Sequence, residues 1–404
     1  MATRMGSHTS GGAAPDPALE AALAAVRRRG DEMVAQTRQW VEVNSYSANV
    51  AGVNAVGAML REAYALPSLA CTVLPGGPGF GDHLVWRTPA AAHAAPIVLL
   101  GHHDTVFPPG HFEGWHVDGG RATGPGALDM KGGLAVIRGV LAALDEVGAL
   151  AALPITVISV ADEEISSPSS TPHLQALARG AACALVFESG RAGDAIITRR
   201  KGVGTLTMIA HGRAAHAGNN HADGANAIWA LAKLIDLAQQ LTDHARGCTV
   251  NVGQVIGGTS RNTVPARAEC QVDLRYETVS DAEALVEALA AAAVAAAAAV
   301  PGTRIEIVRG ANRLPLERTP ASAALRDEYA ACARAVGLGD GEAGLLGGGS
   351  DANTVAPLGV PAIDGLGPRG AGFHTTTEYV ELATFVPKAC ALLRFLWGRR
   401  DPQR

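Results

Sequence analysis

The side chains in this sequence that could hold a metal ion follow short apolar segments. His102 and Asp104 come directly after the apolar residues 96–101. In an extended chain, residues two apart point to the same face, so a carboxylate at position 104 can fix the orientation of the His102 ring. Taken alone, His-x-Asp is a weak signal, because a histidine on the surface or in the core is more common.

Acidic residues recur at comparable points along the chain. They are Asp129 in a glycine-rich turn, the consecutive Asp162, Glu163 and Glu164 after the apolar residues 155–161, and Glu188 after residues 184–187. An acid in such a turn often caps a helix, and three acids in a row can form a solvated loop. Brought together, however, the carboxylates are electrostatically costly unless cations compensate their charge. A second histidine, His374, lies in a glycine-rich loop.

Together these residues predict a catalytic metal centre. Histidine and carboxylate ligands without thiolates suit zinc or a similar divalent ion that keeps an open coordination position. The six cysteines are scattered along the chain and include no Cys-x-x-Cys pair. Because there are more carboxylates than one ion needs, we expect two ions about 3.5–4 Å apart that share a bridging acid.

The apolar segments predict the sheet that positions these side chains. Residues 96–101, 155–161 and 184–187 have the pattern of buried strands, and residues 18–65 and 134–147 have that of helices. Buried strands separated by helices indicate an α/β domain with a mainly parallel sheet. In such sheets the chemistry lies beyond the carboxyl ends of the strands, where His102 and most of the acids are found.

Residues 201–311 follow a different pattern. Expected strands cover residues 205–210, 250–256, 266–275 and 304–308, and expected helices cover residues 222–242 and 284–300. We expect Ile228 on the buried face of the first helix and a capping box that starts with Ser280 at the second. The order β-α-β-β-α-β is ferredoxin-like. It predicts an inserted α+β domain at 201–311, within an α/β domain formed by residues 1–200 and 312–404.

The composition argues against a nucleic-acid-binding protein and against a membrane protein. Of the 404 residues, 48% are hydrophobic and 18% charged, and the net charge is −5. A nucleic-acid-binding protein normally carries a basic excess, so we expect no nucleic-acid partner. The long apolar run at 284–300 is mostly alanine, and we expect no membrane association. Residues 1–17 lack the apolar core of a secretory signal, which makes the cytoplasm the expected location.

For several other polar residues and one glycine-rich segment, a structural role is weighed against a functional one. We expect His103 on the surface, and the cluster Arg199, Arg200 and Lys201 in a solvated hinge, with a counter-charge for a substrate carboxylate as the alternative. The segment 347–351, Gly-Gly-Gly-Ser-Asp, is either an ordinary turn or a stretch whose backbone N–H groups face substrate.

The chain resembles the dizinc metallopeptidase and deacylase family of the carboxypeptidase G-type glutamate carboxypeptidases, acetylornithine deacetylase and succinyl-diaminopimelate desuccinylase. The matching stretches are residues 101–110 (Gly-His-His-Asp-Thr-Val-Phe-Pro-Pro-Gly), 126–133, 161–164 (Ala-Asp-Glu-Glu), 187–188, 211–218 (His-Gly-Arg-Ala-Ala-His-Ala-Gly), 261–265 (Arg-Asn-Thr-Val-Pro), 347–351 and 373–374. They occur in the family's order across nearly the whole chain. The resemblance implies a zinc-exopeptidase-like catalytic domain interrupted by a lid domain through which the chain forms a homodimer.

The resemblance also implies a role for each site residue. Asp129 bridges two zinc ions, for which cobalt or manganese can substitute; His102 and Glu188 complete one metal site, and Glu164 and His374 complete the other. Asp104 orients His102, and Glu163 is the general acid/base. His216, in the lid, contacts the substrate and the developing oxyanion, in family dimers from the partner subunit, while Asn262 and Arg275 hold the substrate near its carbonyl and α-carboxylate.

Such a site suits the hydrolysis of an amide bond. A water shared by two ions becomes acidic, Glu163 takes its proton during attack on the carbonyl, and the proton then passes to the leaving amine. Residues 101–110 look most like the glutamate carboxypeptidase branch, so we expect release of a C-terminal amino acid. An N-acyl-amino-acid deacylase or a dipeptidase would share the chemistry and differ in the pocket. A non-catalytic metal-binding dimer is the alternative from another class.

Overall fold

The computed structural model describes residues 16–400. The prediction that residues 1–17 hold no secretory signal therefore falls almost entirely outside the described residues. The helices of this part of the chain are α1 (Pro17–Arg28), α2 (Gly30–Val41), α3 (Val50–Ala63), α4 (Gly132–Glu146), α5 (Thr171–Ala178), α6 (Ala227–Gln239), α7 (Val279–Ala298), α8 (Pro320–Arg334), α9 (Ala352–Val355) and α10 (Phe385–Gly398).

The strands form four sheets. They are β1 (Ala70–Leu74), β2 (His83–Arg87), β3 (Ile97–His102), β4 (His116–Asp118), β5 (Arg121–Thr123), β6 (Ile155–Val160), β7 (Cys183–Val186), β8 (Gly202–His211), β9 (Ala215–His216), β10 (Thr249–Gly257), β11 (Thr263–Val264), β12 (Arg267–Tyr276), β13 (Arg304–Arg313), β14 (Ala362–Ile363), β15 (Gly370–Ala371) and β16 (Tyr379–Glu381). The largest sheet has the order β1-β2-β6-β3-β7-β14.

The centre of this largest sheet is parallel and completely buried. Strands β6, β3, β7 and β14 run parallel, and β1 and β2 add an antiparallel edge. Every residue of β3 and β6 is buried, as expected for apolar strands covered by helices on both faces. One face packs on α4, α10 and the N-terminal helices, and the other packs on α5 and α9. The predicted α/β class with a mainly parallel sheet is confirmed.

A close approach of backbone brings α4 next to the end of β7. A Cβ atom on Gly133 would lie only 2.2 Å from the carbonyl oxygen of Phe187, so this contact requires glycine. The contact places the turn that precedes α4 beside Glu188, the second residue after β7.

The inserted region forms an antiparallel sheet in the order β10-β12-β8-β13, with α6 and α7 packed into a core of its own. The alternate residues Ala268, Cys270, Val272 and Leu274 are buried, as the pattern of this strand predicts. The predicted α+β insertion in the α/β fold is confirmed, while its exact boundaries stay a prediction. Strand β13 is longer than the expected 304–308 and ends at Arg313.

Two local expectations are wrong. Ile228 is 43% exposed, because α6 buries the face that carries Leu231 and Leu234 instead. Helix α7 begins at Val279 and is capped by Thr278, whose hydroxyl accepts the Asp281 N–H, so Ser280 is not the cap. Residues 18–65, by contrast, are mainly helical as expected, and they form the three helices α1, α2 and α3. None of the helices described is long and apolar enough to cross a membrane.

Candidate metal centre

The fold brings the five predicted metal ligands together, three of them at the ends of parallel strands. His102 is the last residue of β3, while Glu164 and Glu188 follow β6 and β7. Asp129 lies in the irregular turn that leads into α4, and its peptide bond to Met130 is cis. His374 lies in the loop between β15 and β16 with a positive φ of 64°. Each ligand thus comes from a different segment of the fold.

The two carboxylate oxygens of Asp129 face different partners. Its Oδ1 lies 3.6 Å from His102 Nε2, which is also 3.7 Å from Glu188 Oε2. Its Oδ2 lies 3.4 Å from His374 Nε2, which in turn is 3.0 Å from Glu164 Oε2. Asp129 is therefore positioned between two clusters of ligand atoms, as a bridging carboxylate must be.

The donor atoms fit divalent cations. Potential ligand atoms of His102, Glu163 and Glu188 lie within 4.8 Å of one another, as do those of Asp129, Glu164 and His374. Asp129 Oδ1 and Glu188 Oε1 are buried and have no hydrogen-bond partner among the described residues. Buried carboxylate oxygens without donors are costly, and a cation would compensate them.

Burial and the close approach of these groups shift their pKa values. Burial raises the pKa of Glu188 well above its ordinary value, and burial raises the pKa of Glu164 to about 8. Hydrogen bonds to Asp129 and Glu164 raise the pKa of His374 to about 10. The pKa of His102 is also well above its ordinary value, because Glu188 and other carboxylates outweigh the opposing effect of burial. Without bound cations, these shifts favour the protonated forms of the two glutamates and of the two histidines.

Asp104 is hydrogen-bonded to both sides of the centre. Its carbonyl oxygen lies 3.1 Å from His102 Nδ1, and its Oδ1 is 3.4 Å from the same nitrogen. Its carboxylate also accepts the N–H groups of Glu163 and Glu164, each at 3.2 Å, and the hydroxyl of Ser47 at 2.7 Å. Asp104 thus contacts both the His102 ring and the acidic turn, and the orienting role expected of it stays a prediction.

An arginine that the sequence did not single out holds Glu163. Arg313 Nη1 donates to Glu163 Oε1 at 2.5 Å, and Nη2 donates to the Glu163 carbonyl at 3.0 Å and to Ser167 Oγ at 2.7 Å. Asp351 Oδ1 is 3.2 Å from the same Nη2. Burial raises the pKa of Asp351 to about 7. No local pattern predicts this pairing, because Arg313 and Glu163 are 150 residues apart.

A second missed residue, Glu378, supports Asp129 from behind. Its Oε1 accepts the backbone N–H groups of Leu128 at 2.9 Å and Asp129 at 3.1 Å. The side chain is completely buried, and burial raises its pKa to about 8. The only sequence signal is an acid four residues after His374. Glu378 ties the loop that carries His374 to the turn that carries Asp129.

The lid residues His216 and Asn262 lie apart from these ligands. His216 is the last residue of β9 and Asn262 directly precedes β11, which pairs with β9, and the Ala217 N–H donates to the Asn262 carbonyl. His216 is exposed, and its Nδ1 accepts the N–H groups of Gly218 and Asn219. Arg275 is nearer to the centre, because its Nη1 donates to the Gly347 carbonyl at 3.2 Å.

A cavity of about 240 Å³ opens beside the ligands. Its lining combines acidic, cationic and glycine-rich segments: Asp129, Glu163, Glu188, Ser189, Arg191, Arg200, Leu346, Gly347, Gly348, Gly349, Phe373 and His374.

The expectation of a solvated Arg200 is wrong, since this residue is buried and its Nε donates to Asp364 at 2.6 Å. His103 is likewise completely buried, with Nδ1 2.9 Å from Ser159 Oγ, and is not a surface residue.

Comparisons with known proteins agree with this architecture. A family model for the peptidase dimerisation domain of the M20 type matches residues 198–301. Carboxypeptidase G2 of Pseudomonas sp. (strain RS-16) is 29% identical over 350 residues, which are 85% of this chain and 83% of that protein. Succinyl-diaminopimelate desuccinylase of Methylobacterium nodulans is 31% identical over 204 residues, which are 45% of this chain and 51% of the relative.

The solved structure of a tripeptidase from Staphylococcus aureus has the same fold. Its TM-score is 0.74 at 20% identity, and the match covers 91% of this chain and 97% of that chain. The fold and the match to the dimerisation domain therefore indicate the class of protein to which this chain is similar, the hydrolases that carry an M20-type dimerisation domain. Within this class the chain is a homologue of carboxypeptidase G2 and of the desuccinylases, which confirms the resemblance that the motifs indicate.

Proposed function

We propose that this protein hydrolyses an amide bond to release a C-terminal amino acid, with glutamate as the first candidate. The observation that carries the proposal is the pair of ligand clusters joined by Asp129. The similarity to carboxypeptidase G2 over most of both chains supports the carboxypeptidase activity. A deacylase is the second candidate, because a desuccinylase is also among the relatives.

The residues present suit two zinc ions. Asp129 would bridge them, His102 and Glu188 would hold one ion, and Glu164 and His374 would hold the other. When bound, the ions would polarise the scissile carbonyl and increase the acidity of a water molecule. The same residues would also suit cobalt or manganese, because these ions bind nitrogen and oxygen donors and the site offers only such donors.

Glu163 would move the proton. Its carboxylate lies at the edge of the cavity, where it can take a proton from the attacking water and deliver it to the departing amine. Asp104 and Arg313 would hold it in place through its backbone N–H and its carboxylate. His216 would stabilise the oxyanion, and Asn262 and Arg275 would bind the substrate.

Because His216 does not line the cavity, we propose that it acts in a homodimer formed through the lid. Strand β10 is an edge of the lid sheet, and nearby side chains are unusually exposed for their type: Trp229 is 54% and Ile256 64% exposed. The dimerisation-domain match covers this region. Sedimentation that finds a monomer with full activity would exclude a role for His216 across the interface. A cytoplasmic location stays a prediction.

The decisive experiment measures free amino acid released from N-acyl, N-benzoyl and pteroyl amino acids by zinc-loaded protein. Chelated protein and Glu163→Gln serve as negative controls. Strongest release from glutamate conjugates supports the carboxypeptidase. Release from short N-acyl conjugates of other amino acids would favour the deacylase. No release from any conjugate by protein that holds two zinc ions would contradict the proposed activity and favour a non-catalytic metal-binding protein.

A further inference from the structure

The segment after Glu188 is firmly anchored and ends at an arginine, Arg191. The Gly190 N–H donates to the Pro368 carbonyl at 2.9 Å. The Asp194 N–H donates to the Arg191 carbonyl at 3.0 Å, and the Asp194 carboxylate pairs with Arg369 at 2.8 Å. The backbone is thus fixed both before and after Arg191, as is required for a side chain that recognises a ligand.

The Arg191 guanidinium lies in the cavity beside the metal centre. It sits over the Phe373 ring, with 5.1 Å between its central carbon and the ring centroid, and it lines the same cavity as Asp129 and Glu188. Stacking on an aromatic ring holds the planar group in one orientation.

No counter-charge within the described residues pairs with this guanidinium. Its Nε is buried and has no hydrogen-bond partner there. The neighbouring Arg200 differs, because its Nε donates to Asp364 at 2.6 Å and its Nη1 to the Gly348 carbonyl at 3.1 Å. Burial, assisted by the charge of Arg200, lowers the pKa of Arg191, which is the effect expected for an uncompensated cation.

Bound cations would further reduce the negative charge near the Arg191 guanidinium. In the protein alone, the acids Asp129 and Glu188 exert a long-range attraction on Arg191. Divalent ions at those acids would neutralise them, so the guanidinium would then face the cavity with even less compensation. An arginine donates through a planar fork that matches a carboxylate in two parallel hydrogen bonds.

We propose that Arg191 binds a carboxylate of the substrate. The proposal rests on the proposed function for the identity of the substrate, an amino acid in amide linkage. The carboxylate is either the α-carboxylate of the released amino acid or the side-chain carboxylate of glutamate, and both have the same chemistry. Arg200 is not the candidate, since Asp364 already neutralises it.

The test compares kcat/KM for N-acyl-glutamate and N-acyl-glutamine in the wild type, Arg191→Met and Arg191→Lys. Arg199→Met is the matched control, because Arg199 is exposed and pairs with Glu277 outside the cavity. We expect Arg191→Met to lose about 10- to 100-fold, the usual contribution of hydrogen bonds to a charged group. The lysine variant should recover part of the loss through KM, and the control should not change.

The two substrates distinguish the two carboxylates. Loss confined to the glutamate conjugate assigns Arg191 to the side chain, whereas equal loss on both conjugates assigns it to the α-carboxylate. Values for Arg191→Met within twofold of the wild type on both substrates would overturn the proposal. Melting curves establish that each variant is folded.

A binding measurement separates this proposal from the proposed function. If the wild type hydrolyses none of the conjugates, the activity is wrong, but the carboxylate site can still be tested by calorimetry with glutarate and zinc-loaded protein. Binding that is at least tenfold weaker in Arg191→Met supports the site. Equal binding by the two proteins, or no binding to either, refutes it.

Discussion

Replacing Glu163 by glutamine separates proton transfer from the other contributions of this residue. The change keeps the size of the side chain and one oxygen that can accept from Arg313 Nη1, which lies 2.5 Å from Glu163 Oε1. It removes the ability to take and return a proton. Loss of a general acid/base typically costs 10²–10⁴-fold in rate, or about 3–5 kcal/mol in the activation barrier.

The same substitution has a smaller effect on folding. A hydrogen bond between two charged groups contributes about 1.5–3 kcal/mol, and one with a neutral acceptor contributes about 0.5–1.5 kcal/mol. We therefore expect the free energy of unfolding to fall by about 1–2 kcal/mol. Arg313 keeps its partners Ser167 and Asp351, so its charge does not become isolated.

The assay combines kcat, zinc content and urea unfolding on one preparation, with Glu287→Gln as the control for loss of an exposed carboxylate. We expect two zinc ions, a near-normal unfolding curve and a turnover lowered at least 10²-fold. Full turnover with both ions bound would refute the acid/base role. Loss of one equivalent of zinc would instead make Glu163 a ligand, in line with its closeness to His102 and Glu188.

Three further outcomes follow from the buried polar groups. Arg313→Met leaves Glu163 buried without its partner, so we expect the free energy of unfolding to fall by about 3–5 kcal/mol. The control Arg309→Met removes an exposed arginine and should change the free energy of unfolding little. Equal effects of the two substitutions in urea unfolding would contradict this. The folded-state pKa of Asp351, about 7, lies above its ordinary 3.8, so its stabilising contribution is present at low pH and lost as the pH rises through 7. Between pH 5 and 7.5 the wild type should therefore lose up to about 3 kcal/mol of stability relative to Asp351→Asn, and parallel pH profiles would refute this. Glu378→Ala should weaken zinc binding about 10- to 100-fold in a chelator competition, because the backbone N–H groups of Leu128 and Asp129 lose their acceptor. Glu378→Gln keeps an acceptor oxygen and should retain most of the zinc affinity. Unchanged zinc binding in the alanine variant would exclude a role of Glu378 in supporting Asp129.

The strands and the grouping of residues at the candidate site could be predicted because their signals are local. Continuous apolar segments become the completely buried β3 and β6, and polar residues that follow them meet at one edge of the sheet. The alternation in β12 similarly predicts which of its side chains are buried. In these cases the residue type alone determines the environment.

The groups that support the centre could not be predicted, because their partners are distant in sequence. Arg313 resembles any charged residue at the end of a strand until folding places it against Glu163. Glu378 becomes recognisable only when its carboxylate meets the backbone at Leu128 and Asp129. Ile228 is apolar and correctly spaced for burial, yet it is exposed on the surface. Tertiary contacts decide each of these cases.

The order of the ligands along the chain also has a consequence for biosynthesis. His102, Asp129, Glu164 and Glu188 are all translated before the first strand of the lid, whereas His374 is translated after the last one. The residues of one half of the site are therefore available early in synthesis, but the sheet that gathers them also includes β14, which is translated after the lid. The cluster that needs His374 cannot be completed until the whole lid has been synthesised, so the assembly of the site depends on the synthesis of both halves of the α/β domain.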